Sequence, residues 1–306
     1  MDGVLNVNKP AGWTSFDIVA FVRRHSGVKR VGHAGTLDPS AEGVLVVCLG
    51  QATRVLEYLL DVGKTYRARI HLGVATDTYD ADGEVVRTSD TSSIGRNAVE
   101  QALDSLRGTI SQKPPIYSAL KREGTPLYKH ARAGRNVEPE AREVHIYRLD
   151  LVDLDPPALT VEIDCGRGFY VRSFANDLGE KLGCGAHLEH LLRTRVGPFR
   201  LETAVGIDVL RGDFEDGTWA DLVLPMDTVL LDWHAAILGG DNVENLRFGR
   251  SLDLAALQNK PATSLQAGTP CRAYSLEGKL IALLRYNGDA FWQPSKVLAG
   301  GIRNDF

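Results

Sequence analysis

The sequence predicts an α/β protein that ends in a small β-rich part. Three observations carry that reading. Apolar and polar residues alternate over Tyr66–Leu72 and again over Leu159–Ile163, the period of a half-buried strand. Ile94, Ala98, Val99, Ala102, Leu103 and Leu106 recur at helical spacing, as do Val171, Phe174, Ala175, Leu178 and Leu182. Beyond Trp233 the apolar runs shorten, Cys271–Ser275 and Leu280–Tyr286, and Gly-containing turns separate them.

The elements follow in order. Leu5–Asn8 is a short apolar start that ends in the loop signature Lys9-Pro10-Ala11-Gly12. Thr14-Ser15 caps a helix expected from about Phe16 to His25, with Asp17 in its first turn and Gly27 as its stop. Gly32 to Gly43, rich in Gly, Pro and small residues, reads as a loop, and Val44–Leu49 as a buried strand. Gly108 closes the helix that begins near Ile94, and Gly183 closes the one that begins near Val171. From about 118 to 148 there is little apolar periodicity, so residues 121–148 read as a basic surface flap. The expected division is a domain over 1–232 and a small domain over 233–306.

At 306 residues, with 43% hydrophobic and 24% charged, the composition is that of a globular protein and excludes disorder and fibrous structure. No stretch reaches the ~18 apolar residues of a membrane span. Met1-Asp2-Gly3-Val4 lacks the basic and apolar regions of a signal peptide, so a cytoplasmic protein without membrane contact is expected. Cys48, Cys165, Cys184 and Cys271 contain no C-x-x-C pair, which argues against both a zinc cluster and a disulfide framework.

The net charge of −4 argues against nucleic acid, but its distribution does not. Residues 201–306 hold 9 basic and 14 acidic side chains, against 26 and 25 in residues 1–200. Ile18–Leu37 carries Arg23, Arg24, Lys29 and Arg30 with no acid, and Lys121–Arg148 carries seven Lys and Arg against four Glu. A polyanion responds to such local stripes rather than to the whole-chain sum.

The familiar cofactor signatures are missing. Gly166-Arg167-Gly168-Phe169-Tyr170-Val171 lacks the third glycine of a dinucleotide fingerprint, and there is no Walker A, H-E-x-x-H or G-x-S-x-G sequence. Neither a metal nor a small-molecule cofactor is expected. The most unusual segment is Gly32–Gly43, with Asp38-Pro39 at its centre. Asp-Pro is commonly a turn initiator, the carboxylate bonding its own backbone. A carboxylate on a loop between a basic helix and a buried strand is also where catalytic groups concentrate.

Asn8-Lys9-Pro10-Ala11-Gly12-Trp13-Thr14-Ser15, followed by Gly32-His33-Ala34-Gly35-Thr36-Leu37-Asp38-Pro39, resembles the TruB family of tRNA pseudouridine synthases. So do Gly50-Gln51-Ala52-Thr53-Arg54, Lys64-Thr65-Tyr66-Arg67, and Thr76-Asp77-Thr78-Tyr79-Asp80-Ala81-Asp82-Gly83. Pro114-Pro115-Ile116-Tyr117-Ser118-Ala119-Leu120-Lys121, Gly168–Ser173 and Leu178–Leu188 complete the set, in order, from residue 4 to about 200. The last 70 or so residues resemble the family's small RNA-binding tail, a PUA-like domain, less closely.

That resemblance implies a mixed, mainly antiparallel sheet with flanking helices (α+β), and isomerisation of uridine 55 in the tRNA T-loop to pseudouridine. Substrate and product are isomers, so no cofactor is implied, and the partner is the T-arm stem-loop of tRNA. The protein is expected to act as a monomer. Asp38 matches the family's essential aspartate, acting as nucleophile on sugar or base, or as the base that takes a ribose proton. Arg172 matches the arginine that pairs with it. Tyr66 matches the tyrosine that stacks on the target base, Tyr170 and Leu191 match positions lining the uracil pocket, and His33 matches a histidine that fills the gap left by the flipped base. Without the resemblance, Tyr66, Tyr170 and Leu191 read as core, Arg172 as a surface residue on a first helical turn and His33 as a loop cap. A tRNA-binding folding chaperone is the rival reading. A two-carboxylate glycosidase is a third, for which no second acid is identified.

Overall fold

The computed structural model describes residues 1–117, 120–122, 125–126, 139–253 and 265–298. Two compact units divide at Val223/Leu224. Among the described residues no helix is long and apolar enough to cross a membrane.

The larger unit is built on a ten-stranded sheet. Its long path runs β14 (Val205–Gly206), β1 (Gly3–Lys9), β3 (Glu42–Leu49), β12 (Ala186–Val196), β4 (Lys64–Leu72), β11 (Ala158–Cys165), β10 (Arg142–Asp155), β7 (Gly108–Gln112). β2 (Val31–Ala34) pairs with β3, and β13 (Phe199–Arg200) with β12. Among the described residues, the β1–β14 and β3–β12 pairs are parallel and the other pairs of this sheet antiparallel, so the sheet is mixed and mainly antiparallel.

A short helix, α2 (Leu56–Asp61), precedes β4, and β5 (Val74–Thr76) pairs with β6 (Val85–Thr88) as a separate two-stranded sheet, while the longer helices cover defined stretches of the main sheet. α1 (Ser15–Ser26) starts at a capping box, Thr14 Oγ1 accepting from Asp17 N at 3.0 Å while Asp17 Oδ2 accepts from Thr14 N at 2.8 Å. Gly27, at φ 67°, ends it in the left-handed conformation. α1 buries Ile18 and Val22 against Leu5, Val7, Leu45 and Val47, together with Ile207 and Leu210 of α5 (Ile207–Asp216). α3 (Arg96–Asp104) and α4 (Val171–Lys181) place Val99, Leu103, Phe174, Ala175 and Leu178 on the alternating apolar faces of β4 and β11. Tyr66, Ala68, Ile70 and Leu72 form that face of β4, with Arg67 and Arg69 on the other.

The structure departs from the sequence reading in three places. Gly32 and His33 belong to β2, hydrogen-bonded along β3, so the loop shrinks to residues 35–41. β12 was not expected, although it lies at the centre of the sheet. Its pairing with β4 is interrupted between Leu188 and His190 and again between Arg193 and Arg195, which breaks the period-2 pattern. Residues 142–148 belong to β10 rather than to a surface flap. Val144 and Ile146 do alternate inward, but a shift between Ile146 and Arg148 ends the alternation. Among the described residues, the remaining flap region holds the short strands β8 (Lys121–Arg122) and β9 (Thr125–Pro126). Lys129, Arg132 and Arg135 lie outside the described residues.

The smaller unit holds a five-stranded sheet in the order β15 (His234–Leu238), β17 (Pro270–Ser275), β18 (Leu280–Tyr286), β19 (Phe291–Val297), β16 (Leu252–Asp253). Trp292, fully buried, and Leu284 anchor its core with Leu246 of α6 (Gly240–Arg247).

Gly179 marks the tightest helix–sheet approach. A Cβ there would lie 2.1 Å from the Ala186 nitrogen. Gly179→Ala is expected to destabilise the protein by about 1–3 kcal/mol or more, read from urea unfolding. Gly212 of α5 has open space around it, so Gly212→Ala should stabilise by about 0.5–1 kcal/mol through helix propensity.

Candidate active site

The loop 35–41 is held from the chain's N-terminal segment. Ser15 Oγ accepts from Leu37 N at 2.9 Å and donates to Leu37 O at 3.0 Å. Gly12 N donates to Pro39 O at 2.9 Å, and the buried Lys9 ammonium donates to the same carbonyl at 3.2 Å. Lys9 also bonds the Pro10 and Trp13 carbonyls, and burial lowers its pKa to about 8. These bonds fix the backbone on both sides of Asp38.

Arg172 stands at the start of α4 and reaches three partners. Nε lies 3.0 Å from Asp38 Oδ2, Nη1 3.2 Å from Asp80 Oδ2, and Nη2 donates to Tyr117 O at 2.9 Å. Its side chain is 7% exposed, whereas that of Asp38 keeps an open face at 41%. Asp80 is oriented in turn by Thr78 Oγ1 at 2.5 Å and by Asp82 N at 3.2 Å. The entry to α4 is clamped by the buried Gln112, whose side chain donates to Tyr170 O at 3.0 Å and accepts from Tyr170 N at 2.8 Å. Arg142 lies over the Tyr170 ring, 4.9 Å from its centroid, and donates to Gly168 O.

These groups open into one cavity of about 450 Å³. Asp38, Tyr66, Tyr170, Arg172 and Leu191 all line it, brought together from a loop, two strands and a helix entrance. His33 does not. It sits on β2 with Nδ1 buried and unbonded among the described residues, and burial, reinforced by the Arg193 charge, pushes its pKa down. The sequence reading assigned no role to Asp80, Lys9, Gln112, Lys64 or Arg193, and took Arg142 for a cation of the basic flap. Lys9 and Lys64 were accessible from phase alone: Lys9 continues the buried positions Leu5 and Val7, and Lys64 precedes Tyr66 and Ala68 on the same face.

The electrostatics differ from wall to wall. Burial raises the Asp38 pKa, Arg172 opposes this, and Asp80 reinforces it. The Tyr66 phenol is pushed up by burial and is therefore protonated at neutral pH. The arrangement offers one carboxylate, open on one side and oriented by a guanidinium, in a cavity that Tyr66, Tyr170 and Leu191 also line. Among the described residues no three His, Cys, Asp or Glu side chains are placed to hold a metal ion.

Comparison with known proteins gives consistent matches. Residues 23–171 match the TruB family pseudouridylate synthase N-terminal domain, and residues 172–231 the tRNA pseudouridylate synthase B C-terminal domain. The chain is 42% identical over 297 residues to tRNA pseudouridine synthase B of Dehalococcoides mccartyi, covering 97% of this chain and 96% of that one. The protein of the same name from Burkholderia pseudomallei is 43% identical over 301 residues, covering 98% of each. Among solved structures, a Cbf5-Nop10-Gar1 complex matches with a TM-score of 0.75 at 26% identity, over 97% of this chain and 84% of that one. An H/ACA ribonucleoprotein bound to a substrate RNA containing 2′-deoxyuridine shares the fold, with a TM-score of 0.76 at 24% identity over 98% and 86%.

The charge pattern sets a titration order. Carbon-13 NMR of labelled aspartate should find Asp38 titrating above the ordinary carboxylate range. Arg172→Ala removes the opposing cation and should raise that midpoint further. Asp80→Asn removes a like charge and should lower it. An Asp38 midpoint unmoved by both substitutions would mean the three side chains do not interact in solution.

Proposed function

We propose that this chain, which belongs to the TruB family of pseudouridine synthases and is therefore an isomerase, converts uridine 55 in the T-loop of tRNA to pseudouridine, with Asp38 as the reacting carboxylate. The observation that carries the reading is the Asp38–Arg172 pair at 3.0 Å, at the mouth of a cavity whose walls include Tyr66, Tyr170 and Leu191. The names of the relatives support tRNA as the substrate class.

The geometry suits this chemistry step by step. A uridine stacked in a loop cannot reach a recessed carboxylate, so it is extruded at a cost of a few kcal/mol. Stacking on an aromatic side chain, worth about 1–3 kcal/mol per base, offsets that, and Tyr66 is the ring available. Leu191 and Tyr170 close the slot around the base. Arg172 holds the Asp38 carboxylate ionised and oriented while the open face of Asp38 meets the sugar or the base. Asp38 acts either as nucleophile, in a covalent adduct, or as the base that takes a ribose proton.

RNA binding draws on the exposed cations Arg23, Arg24, Lys29 and Arg30, at the end of α1 and just before β2. The loop carrying Asp38 follows β2 directly, so the stripe lies along the chain next to the site. Phosphate contacts of this kind make affinity fall steeply with salt. His33, one element before Asp38, fills the space that the extruded base leaves. Residues 233–306, with 8 basic and 6 acidic side chains, form the small RNA-binding tail.

Asp38→Asn keeps the shape but removes both nucleophile and base. It should abolish turnover, measured as tritium release from C5-labelled uridine in tRNA, and leave tRNA affinity within a few-fold. Activity above about a hundredth of wild type would point to a different catalytic group. Arg172→Lys should lower the single-turnover rate substantially with little change in binding, because lysine lacks the planar fork. In Arg172→Ala the acidic limb of the rate profile should move to higher pH.

A further inference from the structure

The cavity has a floor of unusual composition. Lys64 and Tyr66 are two residues apart on β4, and Leu191 and Arg193 are two apart on β12. Arg193 stands directly opposite Tyr66 in the β4–β12 pairing, so all four side chains share one face of the sheet. All four line the cavity.

Two of the four are buried cations. Arg193 is 1% exposed and Lys64 8%. Arg193 donates from Nε to Val44 O at 2.7 Å and from Nη2 to Gly35 O at 3.0 Å. Lys64 donates to Leu60 O at 3.2 Å and Val62 O at 3.0 Å. Among the described residues neither is ion-paired with a carboxylate, whereas Arg172 has two such partners. A buried cation held by neutral groups, the carbonyls and for Arg193 also the Tyr66 hydroxyl, keeps most of its desolvation cost, and a second cation nearby adds repulsion. Burial and the Arg193 charge together lower the Lys64 pKa to about 8. The backbone is shaped to permit the arrangement. Gly43, at φ 103°, lies so close to Arg193 that a Cβ would meet its carbonyl oxygen at 2.2 Å, and a Cβ on Gly35 would lie 3.4 Å from Arg193 Nη1.

We propose that Arg193 and Lys64 form an anion-binding floor that takes the negative charge of the uracil while it is detached from the ribose. This inference rests on the reading of the cavity as the uridine site. When the N1–C1′ bond breaks, its electron pair stays on the uracil, which leaves as an anion. C1′ then either gains a bond from an Asp38 oxygen or, after Asp38 takes the C2′ proton, becomes part of a glycal. In both routes the uracil carries charge spread over N1, O2 and O4. After rotation, C5 gives an electron pair to C1′, Asp38 is released or returns its proton to C2′, the C5 proton is lost and N1 takes one up. Arg193 and Lys64 bind the ring most strongly when it is anionic, so they stabilise the transition states on either side of that intermediate more than the bound uridine. Tyr66 and Leu191, which share that face, hold the ring as it turns.

The test has two independent arms. Arg193→Met should lower the single-turnover rate on a T-arm stem-loop by about 10²–10³-fold, with stem-loop affinity changed less than about threefold. Lys64→Met should act in the same direction, and Arg193→Lys, which keeps the charge, should recover about tenfold of the loss. In the second arm, wild-type protein is titrated calorimetrically at neutral pH with free 5-nitrouracil, an anion because the nitro group acidifies the ring, and with neutral uracil. The anion should bind at least about tenfold more tightly, and Lys64→Met should reduce that preference. A folded Arg193→Met protein that turns over at the wild-type rate overturns the proposal. So does a rate loss matched by an equal loss of stem-loop binding, which would make these residues phosphate contacts. Should Arg193→Met not fold, the Lys64→Met rate and the wild-type titration decide, and equal binding of the two free bases refutes the floor. A wild-type protein that leaves uridine in tRNA unconverted would instead refute the function proposed above, and the titration would still report on the anion site.

Discussion

The site depends on the Arg172 guanidinium, a nearly buried cation that needs all of its partners. It joins the loop of Asp38, the segment of Asp80 and the Tyr117 carbonyl to the start of α4. These segments are far apart in the chain, and no apolar contact would fix their relative rotation. A buried charge does, because each unmade bond leaves an uncompensated group. Two carboxylates on one cation also divide the labour. Asp80, 14% exposed and bonded by Thr78 and Asp82, is locked in place, whereas Asp38 keeps an open face for a substrate.

The supports around that cation are themselves polar and buried. Gln112 binds both backbone groups of Tyr170, Ser15 binds both of Leu37, and Lys9 reaches the Pro39 carbonyl. Each is the last buried position of a strand or the first turn of a helix, where backbone groups lack regular partners. Precision at Asp38 therefore comes from rigid elements on either side of a short loop, with the loop contributing only the reacting group.

The sheet supplies the other half of the site. The β4–β12 register decides that Tyr66, Leu191, Lys64 and Arg193 share a face, and the bulge between Arg193 and Arg195 lies just beyond the last of them. A one-residue slip of β12 would send Leu191 and Arg193 to the face opposite Lys64 and Tyr66. The parallel contact of Leu192 and Arg193 with Glu42 and Gly43 pins β12 from its other side, which is why Gly43 must stay without a side chain.

Much of this was legible in the sequence. The alternation of β4 and β11, the stripes of α3 and α4, the capping box of α1 and the β-rich end all follow from local period and cap chemistry, which need no knowledge of distant residues. The resemblance in ordered motifs singled out Asp38, Tyr66, Tyr170, Arg172 and Leu191. β12 and the start of β10 were hidden because bulges interrupt their alternation, and β2 because Gly32 and His33 look like loop residues until β3 is beside them. Asp80 as the second partner of Arg172, and Lys64 and Arg193 as one floor, were decided only by tertiary structure. Sequence determines which residues face inward along one element. Which inward faces meet depends on sheet order and register, and those are set by pairing between segments up to more than a hundred residues apart.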